Sequence, residues 1–370
     1  MRFCKNCILP DTRPNLIISE DGICNACKTH LRKPNIDWSE RKRKFVQVVQ
    51  DAKARRKGYD CLIPVSGGKD STWQVIKCLE YDLNPLAVTW KTPARTQLGQ
   101  ENLDNLVSLG VDHIDYQVNP KVEAKFLLKA LEKYGATAIP QHMAIFSIPL
   151  KIAVRFEIPI VVWGENSAFE YGGTEEDQKG YKLDSHWLKK FGVTQGTSAR
   201  DWISDDLSEK ELIPYFGPTD EELEKADVLS VFMGYYFPWD VEISLKVAQD
   251  NGFKLRKEGP RVGYYNYADI DCDFMSIHHW MKWYKFGFTR TMDNLSLEIR
   301  NGRMTRDHAI ELLKKRGNET PYDDIEKFCE FVGISKNQFF NICNQFRNKN
   351  IWSKQNSKWT INNFIIPDWI

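Results

Sequence analysis

Asp60-Cys61-Leu62-Ile63-Pro64-Val65-Ser66-Gly67-Gly68-Lys69-Asp70-Ser71 is the stretch from which the rest of the chain can be read. Its apolar run, residues 60–65, ends in two glycines and passes into residues 71–81, which read as helix. Gly67 and Gly68 let successive N–H groups turn inward into a nest for phosphate oxygens, and the helix that follows adds its positive N-terminal end. Ser66 and Ser71 offer hydroxyls, Lys69 a positive charge, and Asp70 a carboxylate for Mg²⁺. The spacing is neither G-x-x-x-x-G-K-[ST] nor G-x-G-x-x-G, so this phosphate loop is of another kind.

Working outward, the same rhythm repeats. Residues 86–90, 113–118 and 159–163 read as strands, and residues 100–109, 122–134 and 143–156 as helices. Strand and helix alternating in this way predict an α/β fold, a parallel sheet with helices on both faces. Ligands of such sheets bind beyond the carboxyl ends of the strands. Gly164-Glu165-Asn166, ending the fourth strand, is therefore expected at the crevice that holds the loop, while Trp90, ending the second with Thr89, also reads as a buried core residue.

Upstream, residues 36–58 form a basic helix with Phe45, Val48, Val49 and Ala52 on one face. Its cations read either as a solvated outer face or as an attraction for a polyphosphate substrate. Past residue 165 the strand rhythm weakens into a loop-rich stretch, 170–227, and an aromatic region, 235–239 and 264–267, read as core and interface filling. Helical stretches follow at 269–286, 294–300, 305–315 and 335–347, the last opened by a capping box of Ser335 and Gln338. The resulting division is 1–35, a cysteine ribbon; 36–235, the nucleotide domain; and 236–370, a mainly helical substrate or partner region.

Four of the nine cysteines lie in the first 27 residues as two C-x-x-C pairs, Cys4/Cys7 and Cys24/Cys27. That spacing fits a four-cysteine structural zinc site, closed to chemistry. An iron–sulfur cluster uses the same ligands, and a disulfide framework is the plainer alternative. The other five, among them Cys61 and Cys272, read as small buried hydrophobes.

Length and composition bound the class. A chain of 370 residues, 42% hydrophobic and 27% charged, suits about two globular domains with an appendage and excludes a fibre or a disordered chain. No apolar run reaches the ~18 residues of a membrane span. The polar start reads as lacking a signal peptide, so a cytosolic location is expected. With 51 basic against 50 acidic residues there is no overall field to attract nucleic acid or membrane.

Ser66–Ser71 resembles the SGGxDS pyrophosphate loop of the N-type ATP pyrophosphatases, a superfamily that includes GMP synthetase, asparagine synthetase and tRNA thiolases. The likeness narrows along the chain. Phe3-Cys4-Lys5-Asn6-Cys7 with Gly22-Ile23-Cys24-Asn25-Ala26-Cys27 resembles the zinc ribbon of N-acetyl sugar amidotransferases. Similar to the same family are Val162-Trp163-Gly164-Glu165-Asn166, Glu170-Tyr171-Gly172-Gly173, Lys285-Phe286-Gly287-Phe288-Thr289-Arg290, and the run from Glu298 to Arg306. Thr289 departs from the pattern, where a small residue such as glycine is expected before Arg290.

The resemblance implies an adenine nucleotide α-hydrolase-like (PP-loop) fold and an AMP-forming reaction that turns an acetamido group on an activated sugar into an acetamidino group. It implies ATP as co-substrate, with Ser66, Gly67, Gly68, Lys69, Ser71, Thr89, Trp90 and Gly164 binding nucleotide or pyrophosphate. Asp70, Lys69 and Glu165 would be catalytic, Asp70 holding Mg²⁺, and Asn166, Tyr171, Gly172, Arg290 and Arg300 would meet the sugar. His142 is a candidate general base or a plain helix-start histidine. Residue 2 is Arg where a class II glutaminase has its nucleophilic cysteine, so ammonia is expected from a separate glutaminase subunit. A tRNA thiolase is the alternative, kept open by the basic helix, although residues beyond about 60 carry a small acidic excess and nucleic acid is not the expected partner. A non-enzymatic scaffold is the third reading, disfavoured because the loop keeps its aspartate and serines.

Overall fold

The computed structural model describes residues 1–174, 180–317, 319–355 and 358–367. Five parallel strands make the central sheet: β1 (Cys61–Pro64), β2 (Pro85–Trp90), β3 (Asp112–Tyr116), β4 (Ile160–Trp163) and β5 (Leu229–Phe232), in the order β3-β2-β1-β4-β5. β1, β2, β4 and β5 bury both faces by alternation, while the edge strand β3 stays partly exposed. Cys61 and Ile63 of β1, Ile160 and Val162 of β4, and Val231 of β5 join one apolar cluster with the helices Trp38–Arg55, Lys69–Glu80 and Gln97–Val107. Leu62, Val161, Trp163 and Phe232 join the other, against the helices Pro120–Tyr134 and Ile139–Arg155. A period of two in strands covered on both sides produces this arrangement.

The strand order reverses between β1 and β4, which open side by side at their carboxyl ends. That is the switch point where an open α/β sheet forms its ligand crevice.

The first four strands lie where the sequence reading put them; β5 is a finding. Only four residues long, it follows the acidic helix Asp220–Lys225 and runs directly into the single turn Met233–Tyr236, so it carries no rhythm of its own. The helices Val241–Asp250 and Tyr322–Val332 were not read from the sequence either. The helix expected from residue 269 starts at Phe274, because Asp269 takes a left-handed backbone (φ +52°) that no helix continues. Part of the loop-rich stretch, residues 175–179, lies outside the described residues.

Two sequence details resolve cleanly. The Ser335 capping box forms, with Gln338 N–H donating to Ser335 Oγ (3.2 Å) and Ser335 N–H to Gln338 Oε1 (2.8 Å). Thr289, odd against the family pattern, caps the helix Arg290–Arg300 by accepting from Met292 N–H at 3.3 Å, in ordinary extended backbone.

The basic helix Trp38–Arg55 faces away from the crevice, and most of its cations are engaged. Lys44 pairs with Glu40, Arg55 with Asp51 and Asp227, and Lys53 with Asp82, while Arg41 donates to the Tyr235 carbonyl. The solvated-face reading describes it.

The ribbon folds so that the Sγ atoms of Cys4, Cys7, Cys24 and Cys27 lie within 4.8 Å of one another, all buried. Cys4–Cys27 and Cys7–Cys24 are 3.9 and 3.8 Å apart. A tetrahedron with Zn–S bonds near 2.3 Å has S···S edges of roughly 3.8 Å, so the set fits zinc. The four thiols cannot all ionise unaided: hydrogen bonding from Cys24 drives Cys4 down, and Cys27 drives Cys24 up. Around this centre the apolar cluster draws Phe288, Met292 and Leu295 from the C-terminal region, then Ala309 and Leu313.

No helix among the described residues is long and apolar enough to cross a membrane. Because the ribbon centre is the middle of a shared core, Cys24→Ser is expected to drop bound zinc from about one ion per chain to near zero and to lower Tm with it. Elemental analysis and melting curves of the purified variant check both.

Candidate active site

The glycine loop leaves β1 and enters the helix Lys69–Glu80. Gly67 takes φ +82°, and a Cβ there would stand 2.7 Å from the backbone nitrogen of Leu103, so conformation and space both require glycine. The serines brace the loop: Gly68 N–H donates to Ser66 Oγ (3.3 Å), and Ser71 Oγ donates to the Gly68 carbonyl (3.0 Å). Lys69 Nζ contacts both Asp70 oxygens at 2.7 Å, and Trp239 Nε1 donates to Asp70 Oδ1 at 3.0 Å.

Two cavities open on this loop and a third adjoins them, and Glu165 lines all three. The first, about 210 Å³, is polar and holds Ser66, Gly68, Lys69, Asp70 and Ser71 opposite Asp269 and Asp271. The second, about 440 Å³, lies over the ends of β1, β2 and β4 and is mainly apolar, with Thr89, Trp90, Phe146 and Gly164 on its walls. The third, about 740 Å³, is reached past Tyr171, His142 and Arg290. Asp70 opens to the first and second cavities, with its side chain 36% exposed. Its free surface could serve a divalent cation as a ligand.

The electrostatics follow from crowding carboxylates into partly buried space. Burial, and then the charge of Asp70, lifts Glu165 to about 7. Burial lifts Asp271 to about 6. Burial also works to raise Asp269, but Arg290 and then His279 outweigh it and hold that carboxyl well below its usual range. Asp269 contacts Arg290 at 3.2 Å and His279 at 3.3 Å. His279 is itself pushed to about 3, by burial first and then by Arg290, so its ring is neutral.

Among the residues expected at the site, Ser66, Gly68, Lys69, Asp70, Ser71, Thr89, Trp90, Gly164, Glu165, Tyr171, Gly172 and Arg290 line one cavity or another. Three do not. Gly67 bends the loop from behind. Asn166 is buried in local work: its Oδ1 accepts from Ala168 N–H (3.0 Å) and Trp187 Nε1 (3.1 Å), and its Nδ2 donates to the Gly180 carbonyl. Arg300 lies between the ribbon thiols, whose charges raise its pKa against burial, and the Glu170 carbonyl at 3.4 Å. Thr89 reaches its cavity but spends its hydroxyl on the Val65 carbonyl (2.8 Å), tying β2 to the base of the loop. His142 lines the second and third cavities and donates from Nδ1 to the Ala138 carbonyl at 2.8 Å, which leaves Nε2 as the acceptor.

Several site residues escaped the sequence reading: Trp239, Asp269, Asp271, His279, Lys282 and Arg13. The available signal was the alternation Asp269-Ile270-Asp271-Cys272-Asp273 within an aromatic region, where three carboxylates two apart have no reason to be core.

The raised Glu165 carboxyl makes a stability prediction. Its folded-state value lies above the ordinary 4.5, so its contribution is fully present below 4.5 and is lost as pH rises through about 7. Glutamine does not titrate, so Tm of Glu165→Gln relative to the parent protein should climb across that window and level off above it. Melting curves over the pH range check this; a flat difference would mean that Glu165 is not a desolvated carboxyl.

Residues 262–365 match the family model described as LPS biosynthesis protein WbpG-like, C-terminal domain. The matched stretch supplies Asp269, His279, Lys282 and Arg290 to the cavities. No curated protein matches the chain. Among solved structures, NMN synthetase from Francisella tularensis is similar at 15% identity, covering 58% of this chain and 93% of that one, with a TM-score of 0.26, too slight a likeness to argue from.

Proposed function

We propose that the chain is an ATP-dependent amidotransferase of sugar biosynthesis. It joins AMP to the acetamido oxygen of an activated N-acetyl sugar, releases pyrophosphate, and lets ammonia displace AMP to leave an acetamidino group. The observation that carries this reading is the meeting of three cavities at Glu165: a polar one at a phosphate nest, an apolar one of nucleoside size over the strand ends, and a larger one for a second substrate. The match of residues 262–365 to an LPS biosynthesis family supports a sugar as that second substrate.

The chemistry follows from the weakness of an amide as an electrophile. Its oxygen leaves only when made part of AMP. The loop N–H groups and Lys69 would take the pyrophosphate charge as the bond to the α-phosphorus breaks. A magnesium ion held by Asp70 would neutralise the same charge. Glu165, near half-ionised at neutral pH, is suited to accept the amide proton lost on adenylylation. Ammonia then adds to the imidate carbon, AMP departs with the former amide oxygen, and the amidine keeps the extra proton as a cation facing Glu165 and Asp269. A separate glutaminase supplies the ammonia, and a cytosolic location goes with the proposal. So does the division of labour into ribbon (1–35), nucleotide region (36–235) and C-terminal substrate region (236–370).

The thiolase alternative has less support. Cys272 is the one cysteine lining these cavities among the described residues, with its thiol pushed up to about 12 by burial. The basic helix, its other prop, is largely engaged in ion pairs.

The test is AMP and pyrophosphate release from Mg·ATP with ammonium salts, across acetamido nucleotide sugars and sialic-acid-like sugars, with mass spectrometry for exchange of O by NH. Asp70→Ala is expected to cut sugar-dependent AMP release by ~100-fold or more while leaving the circular dichroism spectrum unchanged. Parental rates in that variant, or AMP formed only with RNA, would overturn the reading.

A further inference from the structure

The third cavity has an unusual charge balance. Arg13, Lys189, Lys190, Lys282, Lys285 and Arg290 line it against three carboxylates, Glu165, Asp269 and Asp293. Asp269 is taken by Arg290 and His279. Asp293, only 1% exposed, stands between two cations from distant parts of the chain: Arg13 Nε at 2.8 Å and Lys282 Nζ at 3.8 Å.

Neither cation is satisfied by that arrangement. Arg13 gives Nε to Asp293 and Nη1 to the Tyr171 and Pro14 carbonyls (3.2 Å each), while its Nη2 has no hydrogen-bond partner among the described residues. Lys282 Nζ makes no hydrogen bond among the described residues, and burial pulls its pKa down to about 8. With its side chain 20% exposed and Asp293 Oδ2 3.8 Å away, the Lys282 ammonium keeps donor positions open that an arriving anion can fill. Tyr171 and Phe288 flank the Arg13 guanidinium at 5.6 and 5.7 Å and restrict its movement.

Arg13 belongs to the cysteine ribbon, which grips this wall at further points. Asn25 Nδ2 donates to the Gly173 carbonyl (3.1 Å), Lys33 pairs with Glu170 (2.7 Å), and Thr12 Oγ1 donates to the Phe286 carbonyl (2.6 Å). Gly172, at φ +112°, has room for no Cβ without crowding Asn25 Oδ1 at 3.0 Å. The segment leading from Glu165 to Gly173 is thus fixed by the ribbon.

We propose that Arg13 and Lys282, oriented by Asp293 between them, form a two-cation subsite that binds an anionic group of the sugar substrate, phosphate or carboxylate, and so makes the cysteine ribbon a working wall of the substrate site. The inference rests on the function proposed above. The anion approaches Arg13 Nη2 and Lys282 Nζ from the cavity, while Asp293 keeps both side chains from folding onto the protein. A neutral sugar gains nothing there, so the subsite selects for charge.

Isothermal titration of the full chain with three probes tests it: UDP-N-acetylglucosamine for the phosphate source, free N-acetylneuraminic acid for the carboxylate, and N-acetylglucosamine as the neutral sugar. At least one acidic probe should bind the parent protein more tightly than the neutral one, and the preferred probe identifies the source. Arg13→Ala should weaken that binding ~10- to 100-fold, Arg13→Lys should recover part of it, and Mg·ATP affinity and zinc content should stay unchanged. Lys282→Met gives the same readout from an element outside the ribbon, should Arg13→Ala loosen it. Equal affinity in Arg13→Ala and Lys282→Met, a neutral probe bound as tightly as the acidic ones, or no acidic probe bound at all would overturn the subsite. The two readings fail separately. Arg13-dependent binding without AMP formation on any sugar leaves the subsite and removes the amidotransferase. AMP formation on a neutral sugar, undiminished in Arg13→Ala, does the reverse.

Discussion

Asp70, Glu165, Asp269 and Asp271 share one polar cavity of about 210 Å³, and holding like charges together in partly buried space is the constraint to which the rest of the molecule answers. Lys69 covers both oxygens of Asp70, Arg290 neutralises Asp269, and Glu165 and Asp271 retain protons to higher pH than usual. Each answer comes from a different element. The sheet supplies Glu165 at the end of β4, the first helix after β1 supplies Lys69 and Asp70, and the C-terminal region supplies Asp269, Asp271 and Arg290. A cation entering such a site would relieve the repulsion among its carboxylates, which is how the proposed function admits a polyphosphate beside them.

That dependence explains why the sheet alone does not complete the site. The β1–β4 opening gives a nest and an apolar cavity, which the proposed function assigns to the nucleotide. The third cavity, which the proposal gives to the second substrate, has as walls Tyr171 and Gly172 after β4, the helix Phe274–Phe286, and Arg13 and its neighbours from the ribbon. The ribbon is packed on Met292, Leu295 and Leu313, so the same C-terminal helices that carry the charged side chains also seat the cysteine centre.

The glycine loop and the cysteine cluster were legible in the sequence because their signals are local. A strand, two glycines and a helix start lie within a dozen residues, and the two C-x-x-C pairs state their own geometry. The rest of the site was not, because its signals are long-range. Arg13 meets Asp293 across most of the chain, and Trp239 meets Asp70 across 169 positions. Nothing near either residue in sequence marks the encounter. Motif reading also carried residues to the right neighbourhood without settling their work: Asn166 lies beside Glu165 yet is occupied by Trp187 and Gly180, and Arg300 sits a helix away among the ribbon thiols. β5 was hidden for a related reason, since four residues of a strand that β4 recruits need no pattern of their own.

The order of synthesis works against the ribbon. Its four cysteines are made within the first 27 residues, whereas Phe288, Met292, Leu295 and Leu313, which cover them, emerge only after some 260 more have been added. At ~5–20 residues per second the thiols wait on the order of 10–50 s before their apolar cover exists. Any metal capture in that interval would fall to a short, largely uncovered segment, in competition with oxidation. Final closure then joins the cysteine segment to Phe288, Met292, Leu295 and Leu313, a contact of high sequence separation that is slow to form. The cysteines, made long before their cover, are among the last residues to be locked in place.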